Sequence, residues 1–304
     1  MSQVSTEVTG WDLWQWSRAA KSKAVAAQIN PNEVDLLLEK FASLDRLSLR
    51  LESFKSLSEI SLAIPWQSLV NLWEQRLVRR VPLQYLIGTV EWRHFSLAVS
   101  PAVLIPRPET ELIVELAVSA VGDTPNLRRG HWVDMGTGSG AIAFGLSELL
   151  PEARIHAVDA SEAALAIAQK NAVTLSQGGK LLAPVHFYQG SWWEPLEHLK
   201  KQVNGMVSNP PYIPANLMTT LQPEVRLHEP HLALEGGEDG LDCIRHLIHT
   251  APTYLKPGGV WLVEMMMGQA EAVTQLLNDH GHYCRIQIFQ DLAGIDRFVL
   301  ARLR

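Results

Sequence analysis

The stretch Val207-Ser-Asn-Pro-Pro-Tyr-Ile-Pro214 sets a primary carboxamide directly before two prolines and an aromatic ring. Asn209 precedes a proline, whose ring sterically keeps it out of the helical region and extended. Pro210 and Pro211 fix φ and lack an N–H, so the segment is stiff, rich in carbonyl acceptors and short of donors. Gly205-Met-Val-Ser208 reads as a short buried strand. Asn209 then stands at its carboxyl end, where open α/β sheets bind ligands. A Pro-rich turn, or Pro211-x-x-Pro214 as a partner ligand, fits the same residues.

A second constellation is Asp134-Met-Gly136-Thr-Gly138-Ser-Gly140, which follows one strand and opens a helix. Glycine there lets a ligand approach the backbone and supplies unusual dihedrals. Gly136-x-Gly138-x-x-Ala141 formally satisfies the dinucleotide fingerprint, and Asp159 stands near the spacing of an acidic ribose ligand. Asp134 separates the two cofactor readings. A carboxylate ahead of the loop repels a pyrophosphate on the helix N-terminus and attracts an ammonium or sulfonium group. S-adenosylmethionine therefore suits the loop better, with its amino-acid part and sulfonium over the glycines and its ribose hydroxyls on Asp159. Structural roles stay open: Asp134 as a cap of the turn, Asp159 as N-cap of a helix beginning near Glu162.

Periodicity predicts the elements that must hold these groups. Residues 11 to about 80 read as helical throughout. Asn30-Pro-Asn-Glu33 opens one helix, with Asn as N-cap, Pro at the first position and Glu at the third, followed by Val34, Leu36, Leu37, Leu38 and Phe41. A second amphipathic stretch runs from Trp66 to Arg80, and Trp11, Trp14, Trp66 and Trp73 are expected to fill a small bundle core. Leu86 to Val99 predicts a hairpin. From His131 onward, strands at Trp132–Met135, Ile155–Val158, Val185–Tyr188, Met206–Val207 and Val260–Val263 alternate with helices such as Ala141–Leu150 and Glu162–Leu175. That pattern predicts an α/β fold with a doubly wound, mainly parallel sheet. Tyr283–Phe289 and Arg297–Ala301 follow without an intervening helix and are expected to be antiparallel at one edge.

Composition narrows the function classes. The 47% hydrophobic content of 304 residues suffices for two real cores. A net charge of −6 argues against a broad grip on nucleic acid. Cys243 and Cys284 are far apart and fit neither a disulfide framework nor a zinc site, which suits a reducing compartment. His228-Glu-Pro-His231 is interrupted by proline and has no obvious further ligand, so no metal is expected. Residues 1–10 lack a secretory pattern and no apolar run reaches spanning length, making the cytoplasm the default location with no membrane partner.

Taken together, Leu104-Ile-Pro-Arg-Pro-Glu-Thr-Glu111, the glycine loop, Asn209-Pro-Pro-Tyr212, Glu229-Pro230 and Asp291-Leu-Ala-Gly-Ile-Asp-Arg297 resemble the HemK/PrmC family, protein-glutamine N5-methyltransferases of peptide chain release factors. The likeness runs from about Pro82 to the carboxyl terminus. It implies a seven-stranded class I S-adenosylmethionine-dependent methyltransferase domain at 106–304, a hairpin linker at 82–105 and a helical substrate-binding domain at 1–81. It implies S-adenosylmethionine as donor, S-adenosylhomocysteine as product, and the glutamine of a release factor's Gly-Gly-Gln loop as acceptor. Carried over by position, Asp134, Gly136, Thr137, Gly138, Ser139 and Gly140 hold the methionine part, Asp159 the ribose and Trp192 the adenine, with Trp193 as the competing aromatic. Asn209 and the Pro210 carbonyl would accept the two amide hydrogens of the target, with Pro211 and Tyr212 packing against it and Asn209 also facing the donor. A monomer that touches no nucleic acid directly is the expected form.

Glu109 and Glu111, just past Pro108, are explained equally by the helix dipole and by ligand contact. The family commonly has glycine two residues beyond the glutamate after the fifth strand, where this chain reads Glu264-Met-Met-Met-Gly268-Gln269. These methionines are expected to reshape the pocket wall. Two rival functions use the same residues. An N6-adenine nucleic-acid methyltransferase would present an equivalent amine by base flipping. A non-catalytic adaptor would bind release factors through the helical domain alone.

Overall fold

The computed structural model describes residues 6–122 and 125–304. Residues 1–5, which begin both the predicted helical domain and the segment read as lacking a leader, lie outside the described residues. The chain divides into two units: one takes in the residues up to Gly88 together with Pro223–His228, the other Thr89–Gln222 and Glu229–Arg304.

The first unit is helical around Leu13, Leu37, Leu38, Leu69 and Trp73. Its longer helices are Gly10–Ala26, Glu33–Phe41 and Trp66–Arg79. The second helix begins later than expected, at Glu33 with Asn32 and not Asn30 at its N-cap and no side-chain cap bond; the Asn30 carboxamide accepts from the Asn32 N–H at 3.0 Å in the turn just before it. Glu33 does not close a capping box; its carboxylate takes the Arg76 guanidinium, Nη2 to Oε1 2.9 Å. Arg76, only 5% exposed, also donates to Glu224 at 2.7 Å. The six residues Pro223–His228 are thereby tied into this unit by a charge cluster around the buried Arg76.

Two expectations for this unit need correction. The stretch is not helical throughout, because Ser43 and Glu52 take left-handed φ values of 52° and 53° and Ile60–Ser61 pairs with Glu7–Val8 as a short antiparallel ladder. Nor do all four tryptophans fill the core. Trp73 does, but Trp11 is 47% exposed and stacks on Trp14 beneath the Lys55 ammonium, a cation–π arrangement that keeps an indole stable at the surface. Leu36 is likewise exposed.

The second unit carries a seven-stranded sheet: β1 Gly130–Met135, β2 Ala153–Asp159, β3 Val185–Gln189, β4 Val203–Ser208, β5 Leu255–Glu264, β6 Tyr283–Gln290 and β7 Asp296–Leu303. Their order across the sheet is β6-β7-β5-β4-β1-β2-β3. The first five strands run parallel, and β7 pairs antiparallel with both β5 and β6, as expected for the edge. Alternation decides which face each side chain serves. Trp132, Val260 and Leu262 enter one core with the helices Glu111–Val121 and Ala141–Leu149. Val133, Met135, Trp261 and Val263 enter the other with Asp242–Thr250 and Ala270–His280. Because both faces are covered, β4 is buried at every position and β1 from Trp132 to Met135.

The strand order reverses between β1 and β4, so their carboxyl ends open a crevice where the chain leaves in opposite directions. A hairpin, Thr89–Trp92 with Phe95–Ala98, lies within the predicted stretch, while Leu86 and Ile87 instead end a short helix closed by Gly88. Asn171, buried on the helix Glu162–Gln177, ties this hairpin to the crevice. Its carboxamide exchanges hydrogen bonds with Ala98 and donates to the Ser139 carbonyl at 3.0 Å.

Candidate active site

The glycine loop folds back over β2, with the Gly136 and Thr137 N–H groups both donating to the Val158 carbonyl at 2.9 Å. Gly136, Gly138 and Gly140 have φ of 74°, 55° and 91°, values that L side chains rarely adopt. Their surroundings differ. A Cβ at Gly136 or Gly138 would meet nothing within 4 Å, whereas at Gly140 it would strike the Phe144 ring at 2.3 Å. The first two glycines leave room for a ligand, and the third makes room for the core.

Asp134 is fully buried beneath the loop. Its Oδ2 accepts from the Thr137 hydroxyl at 2.6 Å and the Ala143 N–H at 3.1 Å, and its Oδ1 has no partner. Burial pushes its carboxyl up to about 7, against the opposing pull of those two hydrogen bonds. A buried carboxylate with an orphaned oxygen is costly on its own and is relieved by a positive group nearby. Asp159, at the end of β2, accepts from Gly138 N–H at 2.8 Å and Ser161 N–H at 2.9 Å. Ser161, not Asp159, caps the following helix, its hydroxyl accepting from Ala164 N–H. Burial raises the Asp159 carboxyl as well.

On the other side of the crevice Asn209 leaves β4 half-buried and Pro210 is buried. The ledge is braced from behind. Ile213 N–H donates to Leu234 O and Gly236 N–H to Ile213 O, each at 2.9 Å. Gly240 approaches so closely that a Cβ there would lie 2.3 Å from the Tyr212 carbonyl oxygen. Gln269 donates to that same carbonyl at 3.1 Å and to Gly240 O at 3.2 Å.

The other segments quoted from the sequence converge beside this ledge. Arg107 holds buried Glu229 through both carboxylate oxygens, at 2.8 and 2.9 Å, and Asp291 accepts from Arg297 Nε at 3.1 Å. Glu264, 2% exposed at the end of β5, accepts from Thr110 Oγ1 at 2.8 Å and Tyr212 OH at 3.1 Å. Burial pushes its carboxyl up to about 7, the two hydroxyl bonds and Arg297 opposing, and it drives the Tyr212 hydroxyl up too. Thr110 and Glu264 carried no functional signal of their own in the sequence, being a hydroxyl inside an acidic helix start and a carboxylate ending an apolar strand. Glu111 takes a structural partner, the Arg93 N–H in the hairpin turn, at 2.8 Å.

Between loop and ledge lies a cavity of about 310 Å³. Gly136, Gly138, Asp159, Trp192, Asn209 and Pro211 line it, together with Cys243 and the Pro230–Ala233 segment, which the sequence had not singled out as contacts. Asp134, Thr137, Ser139, Gly140, Pro210 and Tyr212 are not among its lining residues, though each stands within two positions along the chain of one that is. Trp192 is half-buried at φ 51°, its ring 5.7 Å from His246. Trp193 is buried and stacks on Tyr254 at 4.4 Å, away from the cavity. None of Met265, Met266 and Met267 lines it. Met265 is buried, Met267 is 64% exposed, and Met266 N–H instead donates to the bracing Gln269 at 2.9 Å. Among the described residues no group of three or more His, Cys, Asp or Glu is gathered for a metal, and no helix is long and apolar enough to cross a membrane.

Residues 114–223 match the family described as "Methyltransferase small domain". The chain is 51% identical over 298 residues to a protein named release factor glutamine methyltransferase from Synechocystis sp., covering 97% of each. A protein of the same name from Thermosynechococcus vestitus is 46% identical over 289 residues, 95% of this chain and 96% of the other. Among solved structures, the hMettl16 catalytic domain, crystallised with a 3'UTR hairpin, superposes with a TM-score of 0.53 at 15% identity over 80% of this chain and 84% of that one, a likeness of fold.

Proposed function

The chain belongs to the release factor glutamine methyltransferase family, and from that membership we propose that it methylates the side-chain amide nitrogen (N5) of the glutamine in the Gly-Gly-Gln loop of peptide chain release factors. The observation that carries the reading is that Asn209 and Pro211 line the same cavity as Gly136, Gly138 and Asp159. One wall suits a primary amide and the other a donor. S-adenosylmethionine fits the donor wall, given the open volume over Gly136 and Gly138, the unpartnered Asp134 oxygen beneath them and the carboxylate of Asp159. When bound it supplies an electrophilic methyl group and leaves as S-adenosylhomocysteine. The loop from Gly136 to Gly140 holds its methionine part over Asp134, Asp159 takes the ribose hydroxyls, and Trp192 lies against the adenine.

An amide nitrogen is a poor nucleophile because its lone pair is delocalised into the carbonyl. The chain's task is therefore to orient it. The Asn209 side-chain oxygen and the Pro210 carbonyl accept its two hydrogens, aim the nitrogen at the donor and favour its pyramidalisation. Both bonds strengthen as positive charge develops on nitrogen, the differential stabilisation that catalysis requires. No strong base is needed, since the methylated nitrogen sheds its proton readily. The cytoplasm suits this reading, because Cys243 and Cys284 are free thiols.

The test is transfer of labelled methyl from S-adenosylmethionine to a purified release factor, run beside the factor with alanine in place of its loop glutamine and beside an adenine-containing oligonucleotide. Label on the first alone is expected. Label on the oligonucleotide would transfer the site to the adenine reading, and none on any acceptor would favour the adaptor.

A further inference from the structure

A carboxamide has two ends, and only one of them is useful on the ledge. With its oxygen toward the cavity Asn209 accepts an N–H from a primary amide; turned over, it presents its own N–H₂ to another N–H₂ and repels it. The residues behind it decide between these states. Asn209 Nδ2 donates to Thr110 Oγ1 at 3.3 Å, and Thr110 Oγ1 donates to Glu264 Oε2 at 2.8 Å. A hydroxyl has one hydrogen, and a carboxylate only accepts. Thr110 has spent its hydrogen on Glu264, so toward Asn209 it can only accept, and only the amine end of the carboxamide satisfies it.

We propose that Thr110 and Glu264 are positioning residues that fix the polarity of Asn209, keeping its oxygen toward the substrate amide. The inference rests on the reading that Asn209 receives that amide. Local geometry agrees with it. Thr110 stands at the N-cap of the helix Glu111–Val121, where a threonine hydroxyl ordinarily accepts from the first turn, yet it makes no capping bond and points to Glu264 instead. Thr110 and Glu264 are only 4% and 2% exposed, which limits the access of solvent to the bond between them. Tyr212 OH occupies the other carboxylate oxygen. Protonation would reverse the relay: a carboxylic acid donates to Thr110, whose hydrogen then swings to Asn209 and draws the carboxamide oxygen inward. The charged and titratable groups bearing on Glu264 are Arg297, Glu109 and Tyr212, with Arg107 acting on Tyr212, and its carboxyl lies at about 7.

The experiment measures kcat, the KM for the release factor, the calorimetric Kd for S-adenosylmethionine and the pH profile of Thr110→Val, Thr110→Ser, Glu264→Gln and Asn209→Ala. Thr110→Val is expected to lower kcat by about tenfold, the worth of one such bond, with both binding constants unchanged. Thr110→Ser restores the hydroxyl and is expected to return kcat to within about twofold of wild type. The wild-type kcat falls as pH drops through about 7, and that acid limb disappears in Thr110→Val and Glu264→Gln. A wild-type kcat and acid limb in Thr110→Val overturn the proposal, as does failure of Thr110→Ser to recover. If Thr110→Val does not fold, a Glu264→Gln kcat profile at saturating S-adenosylmethionine that matches that of the wild type in both height and acid limb overturns it, and the same profile taken in Asp134→Asn separates any limb that belongs to Asp134. Full activity of Asn209→Ala removes the reading beneath it, whereas loss in Asn209→Ala beside unimpaired Thr110→Val removes this inference alone.

Discussion

At the scale of the residue, one carboxamide carries the account. Asn209→Ala is expected to lower kcat by about 100-fold, as losing one oriented polar group does, while calorimetry finds donor affinity unchanged. Wild-type turnover in that variant would remove Asn209 from the reaction. Asn209 was legible because a carboxamide before two prolines at a strand end is an unusual local arrangement. Thr110 was not, because what distinguishes it is a contact with a carboxylate 154 positions away along the chain. Trp192 and Trp193 were indistinguishable in sequence for a related reason. The left-handed backbone at Trp192 turns one ring to the cavity and the next into the core, and a dihedral is not written in residue type.

At the scale of the element, the glycine loop does two physical tasks that its sequence presents as one. Alanine at Gly136 adds about 1 to 2 kcal/mol of left-handed strain and places a methyl in the open volume above the loop. Donor affinity should therefore fall at least tenfold while the fold persists. Alanine at Gly140 meets the Phe144 ring, adding about 1 to 3 kcal/mol of overpacking to the same strain. Its main effect should be a lower urea midpoint, read by circular dichroism. Equal effects of the two substitutions on both readouts would contradict this division. The strands themselves were plainly legible, since burial on both faces forces apolar runs and the helices between them force a parallel order. The expectation of unbroken helix failed at Ser43 and Glu52, left-handed turns on residue types that carry no glycine signal, although Arg46–Leu51 between them is helical.

At the scale of the whole molecule, two buried carboxylates set an electrostatic cost. Asp134 and Glu264 are both raised to about 7 from ordinary values of 3.8 and 4.5, so the folded chain holds their protons more tightly than the unfolded chain. The stability they lend is complete below about pH 4 and is lost as pH rises through 7. His156, buried neutral and lowered to about 3, acts in the opposite sense, lending stability above about pH 6.5 that is lost on acidification. The carboxylate effect is therefore isolated by difference: relative to Asp134→Asn, the wild type should lose stability between about pH 5 and pH 8. Parallel profiles of urea midpoint would contradict it. The return of Pro223–His228 to the helical unit, through Glu224 and Arg76, lay beyond any local pattern, as does every contact that joins distant stretches of chain. An acceptor ledge and a donor wall share one cavity, and their juxtaposition serves the methylation of a glutamine amide. Tandem mass spectrometry of a release factor after reaction with this enzyme and S-adenosylmethionine tests it most directly. One added methyl on the side-chain nitrogen of the Gly-Gly-Gln glutamine is the predicted result, and a methyl on any other atom, or none, would contradict it.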